Sequence, residues 1–210
     1  MIYIFLGPPG SGKGTQAKKL AEKLGIPHVA VGDMLREAVR NETEIGKEIK
    51  SFMESGKLVP DNITIKLTQE RLQKDDSKSG LILDGFPRSL KQAEALEDIL
   101  KERDFKVIYF SAPIESIIER NSGRLSCKCG AVFHIKYNPP KNDGICDKCG
   151  SQLYQREDDR AEIIKKRYNV YEESTKPLVE LYENKKKIIK IDARGAIDDI
   201  FSGLVEALGA

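Results

Sequence analysis

Three observations predict a three-layer α/β/α fold on a five-stranded parallel sheet, carrying two inserted segments. First, Ile2-Tyr3-Ile4-Phe5-Leu6 is an unbroken apolar run, as suits a parallel strand covered on both faces. It leads through a glycine-rich stretch into a segment with apolar residues at Ala17, Leu20, Ala21 and Leu24, the spacing of one helix face. Second, four more short apolar runs follow, at His28-Val29-Ala30-Val31, Leu81-Ile82-Leu83-Asp84, Val107-Ile108-Tyr109-Phe110 and Ile188-Ile189-Lys190-Ile191. Third, the alternation of strand and helix breaks twice, over residues 30–60 and 122–159.

In chain order, the first helix stops at Gly25-Ile26-Pro27 and the second strand follows. Asp33 suits the N-cap of a helix carrying Met34, Leu35 and Val39. Helical stretches from Glu44 to Ser55 and from Asp61 to Lys74 come next, the first ended by Gly56 and the second started by Pro60-Asp61. Three helical stretches are more than one crossover needs, so residues 30–60 are expected to form a helical arm. Past the strand ending at Asp84, a helix is expected from Ser89 to about Arg103, and another from Ile114 to Asn121. A long helical stretch runs from Asp159 to about Lys185, with Pro177 expected to kink or split it. A closing helix spans Ala196 to Leu208. The core is then 1–29, 61–121 and 160–210, with 30–60 and 122–159 as insertions.

Gly7-Pro8-Pro9-Gly10-Ser11-Gly12-Lys13-Gly14-Thr15 links the first strand to the first helix. Strand, glycine loop and helix form the context of a phosphate-binding loop of the P-loop NTPase type. Glycines let successive N–H groups curl inward onto an anion, and the helix aims its positive end at the same point. Lys13 adds a mobile charge for the outer phosphates. The usual pattern places Ser or Thr directly after the lysine, as a magnesium ligand. Here that position is Gly14, and the hydroxyl comes at Thr15. Mg²⁺ is therefore expected on phosphate oxygens and on waters that other groups orient. Asp84, at the carboxyl end of a buried strand, is placed for that task.

The chain has 35 basic and 33 acidic residues, a formal net charge of +2, which argues against bulk nucleic-acid binding. No stretch is long enough to span a membrane, and the sequence opens on a core strand without a leader-like segment. A cytoplasmic location is expected, with the four cysteines reduced.

Those cysteines form two close pairs, Cys127-Lys128-Cys129 and Cys146-Asp147-Lys148-Cys149, 16 residues apart. Four thiolates from two turns suit a structural Zn²⁺ with no open position for water. The first pair is one residue tighter than the usual knuckle, so His134 or a water stands as an alternative to Cys127; disulfides and idle thiols are the other readings. A module of about 38 residues buries too little apolar surface to fold alone, so a metal would hold it as a rigid flap.

Arginines recur around the expected site at Arg36, Arg88, Arg120, Arg124, Arg156, Arg160 and Arg167. Any one alone suits a solvated surface. Together they flank the cysteine module and the Asp84 strand end, where transferring phosphate needs fixed positive charge.

The glycine loop, Gly32-Asp33-Met34-Leu35-Arg36, Asp84-Gly85-Phe86-Pro87-Arg88 and Tyr154-Gln155-Arg156-Glu157-Asp158-Asp159 resemble the motifs of adenylate kinases, in order and spacing, over essentially the whole chain. The cysteine insert is similar to the zinc-bearing long lid of bacterial members. The resemblance implies the reaction ATP + AMP ⇌ 2 ADP with Mg²⁺, run by a monomer without nucleic-acid or membrane partners. It implies that Gly10, Ser11, Gly12, Lys13, Gly14 and Thr15 cradle ATP phosphates, and that Arg120, Val132, Phe133 and Gly195 touch ATP. Val31, Arg36, Lys57, Leu58, Val59, Gly85, Phe86, Pro87, Arg88 and Gln92 fall at AMP-site positions, Gln92 meeting the adenine. Arg124, Arg156 and Arg167 clamp phosphates as the lid shuts, Arg156 and Arg167 also on the AMP side, and Asp33 and Asp84 orient magnesium waters. One departure is Val31, where the family usually has Thr; a hydrogen bond near the AMP base is lost.

Three other readings compete with this one. A kinase for CMP, UMP or GMP would use the same chemistry. A zinc-ribbon nucleic-acid binder needs a basic face with exposed aromatics, but Asp143 and Asp147 offset the lysines of the module. A regulatory GTPase lacks both the hydroxyl after Lys13 and an Asn-Lys-x-Asp motif.

Overall fold

The computed structural model describes residues 1–101 and 103–209. Its main sheet has five strands: β1 (Ile2–Leu6), β2 (His28–Ala30), β3 (Leu81–Asp84), β4 (Phe105–Ser111) and, late in the chain, β7 (Ile188–Asp192). The order is β2-β3-β1-β4-β7, and every pairing is parallel. The carboxyl ends therefore share one edge, where ligands of open α/β sheets collect. Two cores confirm the three layers. On one face α1 (Lys13–Leu24) and α9 (Ile197–Leu208) bury Leu20, Ile200 and Leu204 against Phe5, Ile108 and Phe110. On the other, Leu35, Ile63, Leu96 and Tyr182 pack against Ile4, Leu83 and Val107.

Those residues come from α2 (Val31–Arg40), α4 (Asp61–Leu72), α5 (Leu90–Ile99) and α8 (Pro177–Asn184); α3 (Glu44–Ser55) packs on α2. Asp33 is not an N-cap. The helix starts two residues earlier, at buried Val31, and Asp33 lies in its first turn with its carboxylate on Arg36. The helix expected to reach Arg103 ends at Ile99, because the chain must turn back for Phe105 to pair with Ile2; residue 102 lies outside the described residues. Ser89 caps this helix by accepting from the Gln92 N–H at 3.2 Å.

Residues 122–159 leave the main sheet. After α6 (Ile114–Ser122), β5 (Arg124–Ser126) and β6 (Val132–His134) form an antiparallel pair with its own small core of Cys127, Ala131, Phe133, Cys146 and Leu153. The long helical stretch begins later than expected. A 3₁₀ turn spans Glu157–Asp159, and α7 is Ala161–Val170. A π turn, Tyr171–Thr175, then leads into α8, which opens on Pro177. The break expected from Pro177 is thus taken up one turn upstream as a widened turn.

Candidate active site

A cleft of about 1260 Å³ opens along the carboxyl edge of the sheet. That volume exceeds the usual single-ligand pocket of about 300–1,000 Å³. Every nucleotide-site residue expected from the sequence lines it except Ser11. Ser11 is fully buried under the loop, its Oγ 3.3 Å from Lys13 Nζ.

The loop is shaped by its glycines. Gly10 has φ +86°, and a Cβ there would lie 1.9 Å from Asn121 Nδ2, itself 3.3 Å from the Pro9 carbonyl. Lys13 folds onto the loop, donating to the carbonyls of Gly7 and Pro8, each at 2.8 Å. Burial, reinforced by Arg88, Arg167 and Arg124 and only partly offset by Asp84, brings its ammonium down to about 7. At Gly14 a Cβ would sit 3.3 Å from Asp84 Oδ2. The missing side chain thus leaves the Asp84 carboxylate free to approach the loop.

Asp84 ends β3, and its Oδ2 is 3.4 Å from His28 Nε2. Burial opposes its charge, yet the His28 hydrogen bond, Lys13 and Arg88 outweigh that and hold the carboxyl below its ordinary range. Asp33 behaves alike: burial opposes the charge, and Arg36, Arg156 and Lys18 prevail. Two ionised carboxylates beside a glycine loop form a hard oxygen donor set, which fits an Mg²⁺ that keeps its waters.

The arginines converge from four separate segments. Arg36 donates to Asp33 Oδ1 at 2.5 Å, and Arg156 reaches the same oxygen at 3.6 Å, so the arm and the 122–159 segment meet on one carboxylate. Arg156 Nε also donates to Ser126 Oγ at 2.8 Å. Arg88 Nε donates to the Gly85 carbonyl at 2.7 Å, leaving its terminal nitrogens free of that bond. Arg167 pairs with Asp158 at 2.9 Å. Arg124 grips Asp159, its Nε donating at 2.8 Å to that fully buried carboxylate. Arg120 donates to the carbonyls of Ala193, at 2.7 Å, and Ser11, at 3.3 Å. Burial above all, with neighbouring arginines adding to it and nearby aspartates opposing it, brings Arg156 and Arg167 each down to about 10. Arg160 points outward, 68% exposed in an ion pair with Glu157, as a surface charge does.

Gln92 is buried with its amide committed: Oε1 accepts from the Arg88 N–H at 2.8 Å, and Nε2 donates to Asp61 at 2.6 Å and Thr64 at 3.1 Å. Lys57, Leu58, Val59, Val31, Phe86, Pro87, Val132, Phe133 and Gly195 line the same cleft. Sequence reasoning missed His28, Lys18, Asp158 and Asp159 as members of the site. Lys18 donates to the Gly130 carbonyl and so ties α1 to the 122–159 segment. The two aspartates stood inside a recognised motif with no role, since their work as arginine counter-ions appears only once α7 is placed. His28 carries no signal beyond its position in a strand.

The four cysteine sulfurs lie within 4.8 Å of one another. Cys127 and Cys149 are 3.4 Å apart and Cys129 and Cys146 3.7 Å, close to the edge of about 3.8 Å that four Zn–S bonds of about 2.3 Å define in a tetrahedron. The donor set fits Zn²⁺. The tight first pair is accommodated by a turn in which Gly130 N–H donates to the Cys127 carbonyl at 3.0 Å. His134 is engaged elsewhere, its Nδ1 accepting from the Lys136 N–H at 3.0 Å and its Nε2 lying 3.4 Å from the Glu119 carbonyl.

A parallel α/β sheet whose glycine loop shares one cleft with a lysine, two carboxylates and converging arginines defines a transferase of the nucleotide kinase class. The model of the family described as "Adenylate kinase" matches residues 5–187. Curated relatives named adenylate kinase include one from Caldicellulosiruptor saccharolyticus, 51% identical over 213 residues and covering 100% of this chain and 99% of its own. One from Clostridium perfringens is 47% identical over 214 residues, with 100% and 99% covered. One from Archaeoglobus fulgidus is 50% identical over 205 residues, with 96% and 94% covered. The chain belongs to the adenylate kinase family.

Proposed function

We infer that this cleft carries out the reversible transfer of the terminal phosphoryl group of MgATP to AMP, giving two ADP and balancing the adenine nucleotides. The supporting observation is the convergence of Lys13, Arg88, Arg124, Arg156 and Arg167, from four stretches of chain, on one cleft large enough for two nucleotides. Phosphoryl transfer asks little covalent chemistry of a protein; it asks for alignment, charge neutralisation and exclusion of water.

ATP occupies the half formed by Gly10 to Thr15, Arg120, Val132, Phe133 and Gly195, with Ser11 shaping the loop from beneath. AMP occupies the half formed by Val31, Arg36, Lys57 to Val59, Gly85 to Arg88 and Gln92. Lys13 and the arginines hold the phosphates in line between them. Arg124, Arg156 and Arg167 exchange their aspartate partners for phosphate oxygens as the substrates enter. Asp84 and Asp33 would hold the water shell of Mg²⁺, which supplies charge neutralisation at the phosphates. Residues 30–60 act as the AMP-side arm and 122–159 as a lid on the core, and their closure keeps water from the γ-phosphate. Cys127, Cys129, Cys146 and Cys149 would hold a structural Zn²⁺ in that lid. The reading is completed by a cytoplasmic monomer whose partners are ATP, AMP and ADP, without nucleic acid or membrane; no described helix is long and apolar enough to cross a bilayer.

Coupled assays with AMP, CMP, UMP and GMP test the acceptor. ADP forms fastest with AMP; faster formation with CMP or UMP rejects AMP as the acceptor.

Val31 is buried and lines the cleft. Val31→Thr restores a hydroxyl worth about 1 kcal/mol, so KM for AMP falls roughly fivefold while KM for ATP holds. An unchanged KM for AMP shows that the hydroxyl finds no partner there.

The lowered Lys13 ammonium gives a proton signature. Well below pH 7 Lys13 is charged in both free and bound protein, so nothing is taken up. Above that pH the free lysine is largely neutral, and phosphate restores its charge, so MgATP binding takes up close to one proton at about pH 8 and weakens as pH rises further. Calorimetric titrations in two buffers of different ionisation enthalpy read this directly. Lys13→Met abolishes the difference; equal heats for the parent protein contradict the mechanism.

A further inference from the structure

Arg88 is held by its backbone from two sides. Its N–H donates to Gln92 on α5 at 2.8 Å, and its carbonyl accepts from Thr175 Oγ1 at 2.9 Å. Thr175 is buried, 6% exposed, and is the last residue of the π turn.

That turn explains how one helical stretch serves two points of the site. Arg167 lies on α7, eight residues before Thr175. In a regular helix of 3.6 residues per turn, that separation leaves the two side chains about 80° apart. One extra residue in a turn removes about 100°, which returns Thr175 to within about 20° of Arg167. The wide turn is closed by the Lys176 N–H donating to the Tyr171 carbonyl at 2.9 Å, and Pro177 follows with no N–H of its own to give. Arg167 and Thr175 thus face the cleft together, one offering its guanidinium and the other fixing the peptide that carries Arg88; Thr175 itself touches the cleft wall.

We propose that Thr175 is a positioning residue for phosphoryl transfer, its hydroxyl anchoring the Arg88 carbonyl and the π turn existing to aim it there. The inference rests on the proposed function, which makes Arg88 a catalytic residue. Without the hydroxyl the partly buried carbonyl loses its partner and the Arg88 loop shifts, and small displacements of a clamping group cost rate.

The test compares Thr175→Val, Thr175→Ser and Thr175→Cys in the full chain, with Tm recorded for each. Thr175→Val lowers kcat about tenfold with KM for ATP and AMP held within about twofold. Thr175→Ser restores kcat, and Thr175→Cys, a weak donor of similar size, falls between. In the Arg88→Ala background, Thr175→Val lowers kcat by less than about twofold further, because the group it positions is gone. An equal tenfold loss in both backgrounds overturns the inference in favour of a general structural role. Full turnover in Thr175→Val, or a Cys variant faster than Ser, also overturns it. No ADP formation by the parent protein overturns the reading on which it rests.

Discussion

Replacing Arg88 by alanine lowers kcat by about a thousandfold, in the range that arginine fingers supply in phosphoryl transfer. The geometry sets this expectation. Arg88 lines the cleft near Lys13 and Asp84, and its Nε is tied to the Gly85 carbonyl at 2.7 Å. That bond fixes the plane of the guanidinium and leaves its outer nitrogens to face phosphate. Burial and the neighbouring Arg36 press against its charge, while Asp84 and Asp158 support it. A guanidinium held under such pressure gains most when negative charge builds between the nucleotides, which happens at transfer rather than at binding. KM for AMP and ATP therefore changes by less than about tenfold, and kcat and kcat/KM fall together. Steady-state kinetics in both substrates decide the matter. A large rise in KM with kcat preserved makes Arg88 a ground-state binding residue and contradicts its role at transfer.

Removing the Zn²⁺ proposed for the four cysteines, by chelation or by Cys146→Ser, unfolds the 122–159 segment and leaves the main sheet intact. The segment's own core is five buried residues, two of them Cys127 and Cys146 of the four-cysteine cluster, so its apolar contacts and that cluster are one structure. Without the ion, little remains to offset the entropy of ordering about 38 residues. Amide exchange across 124–155 accelerates by at least about a hundredfold, while β1, β3 and β4 keep their protection. Turnover falls by tenfold or more, because Arg124 and Arg156 lose the frame that carries them. Metal analysis of the parent protein gives one zinc per chain. Cys127→Ser loses it as Cys146→Ser does; retention of zinc by Cys127→Ser alone shows three cysteines suffice. Unchanged exchange across 124–155 after chelation would falsify the structural role of the metal.

The parts of the site that are local in sequence were legible there. The glycine loop, Asp84 at its strand end and the paired cysteines each carry their chemistry in a few consecutive residues; the sheet brought the loop and Asp84 to one edge, and the cysteines met apart from it, in the 122–159 segment. Element ends were less legible. Asp33 reads as a cap by type, but buried Val31 starts the helix two residues earlier, and the carboxylate meets Arg36 and Arg156 instead. Ser11 has the right position for a phosphate contact, yet the loop's curl turns its side chain under Lys13. Of the seven recurring arginines, nothing in residue type separates Arg160, exposed beside Glu157, from Arg124, locked on Asp159.

The sequence alone determined the class of fold and the kind of chemistry, because apolar runs, glycine spacing and ligand pairs act over short range. Tertiary structure decided which charges face one another. Asp158 and Asp159 became partners of Arg167 and Arg124, His28 came to rest against Asp84, and a widened turn before Pro177 brought Thr175 onto Arg88. These pairings join residues up to 87 positions apart, and they depend on helix phase and strand register, which packing sets.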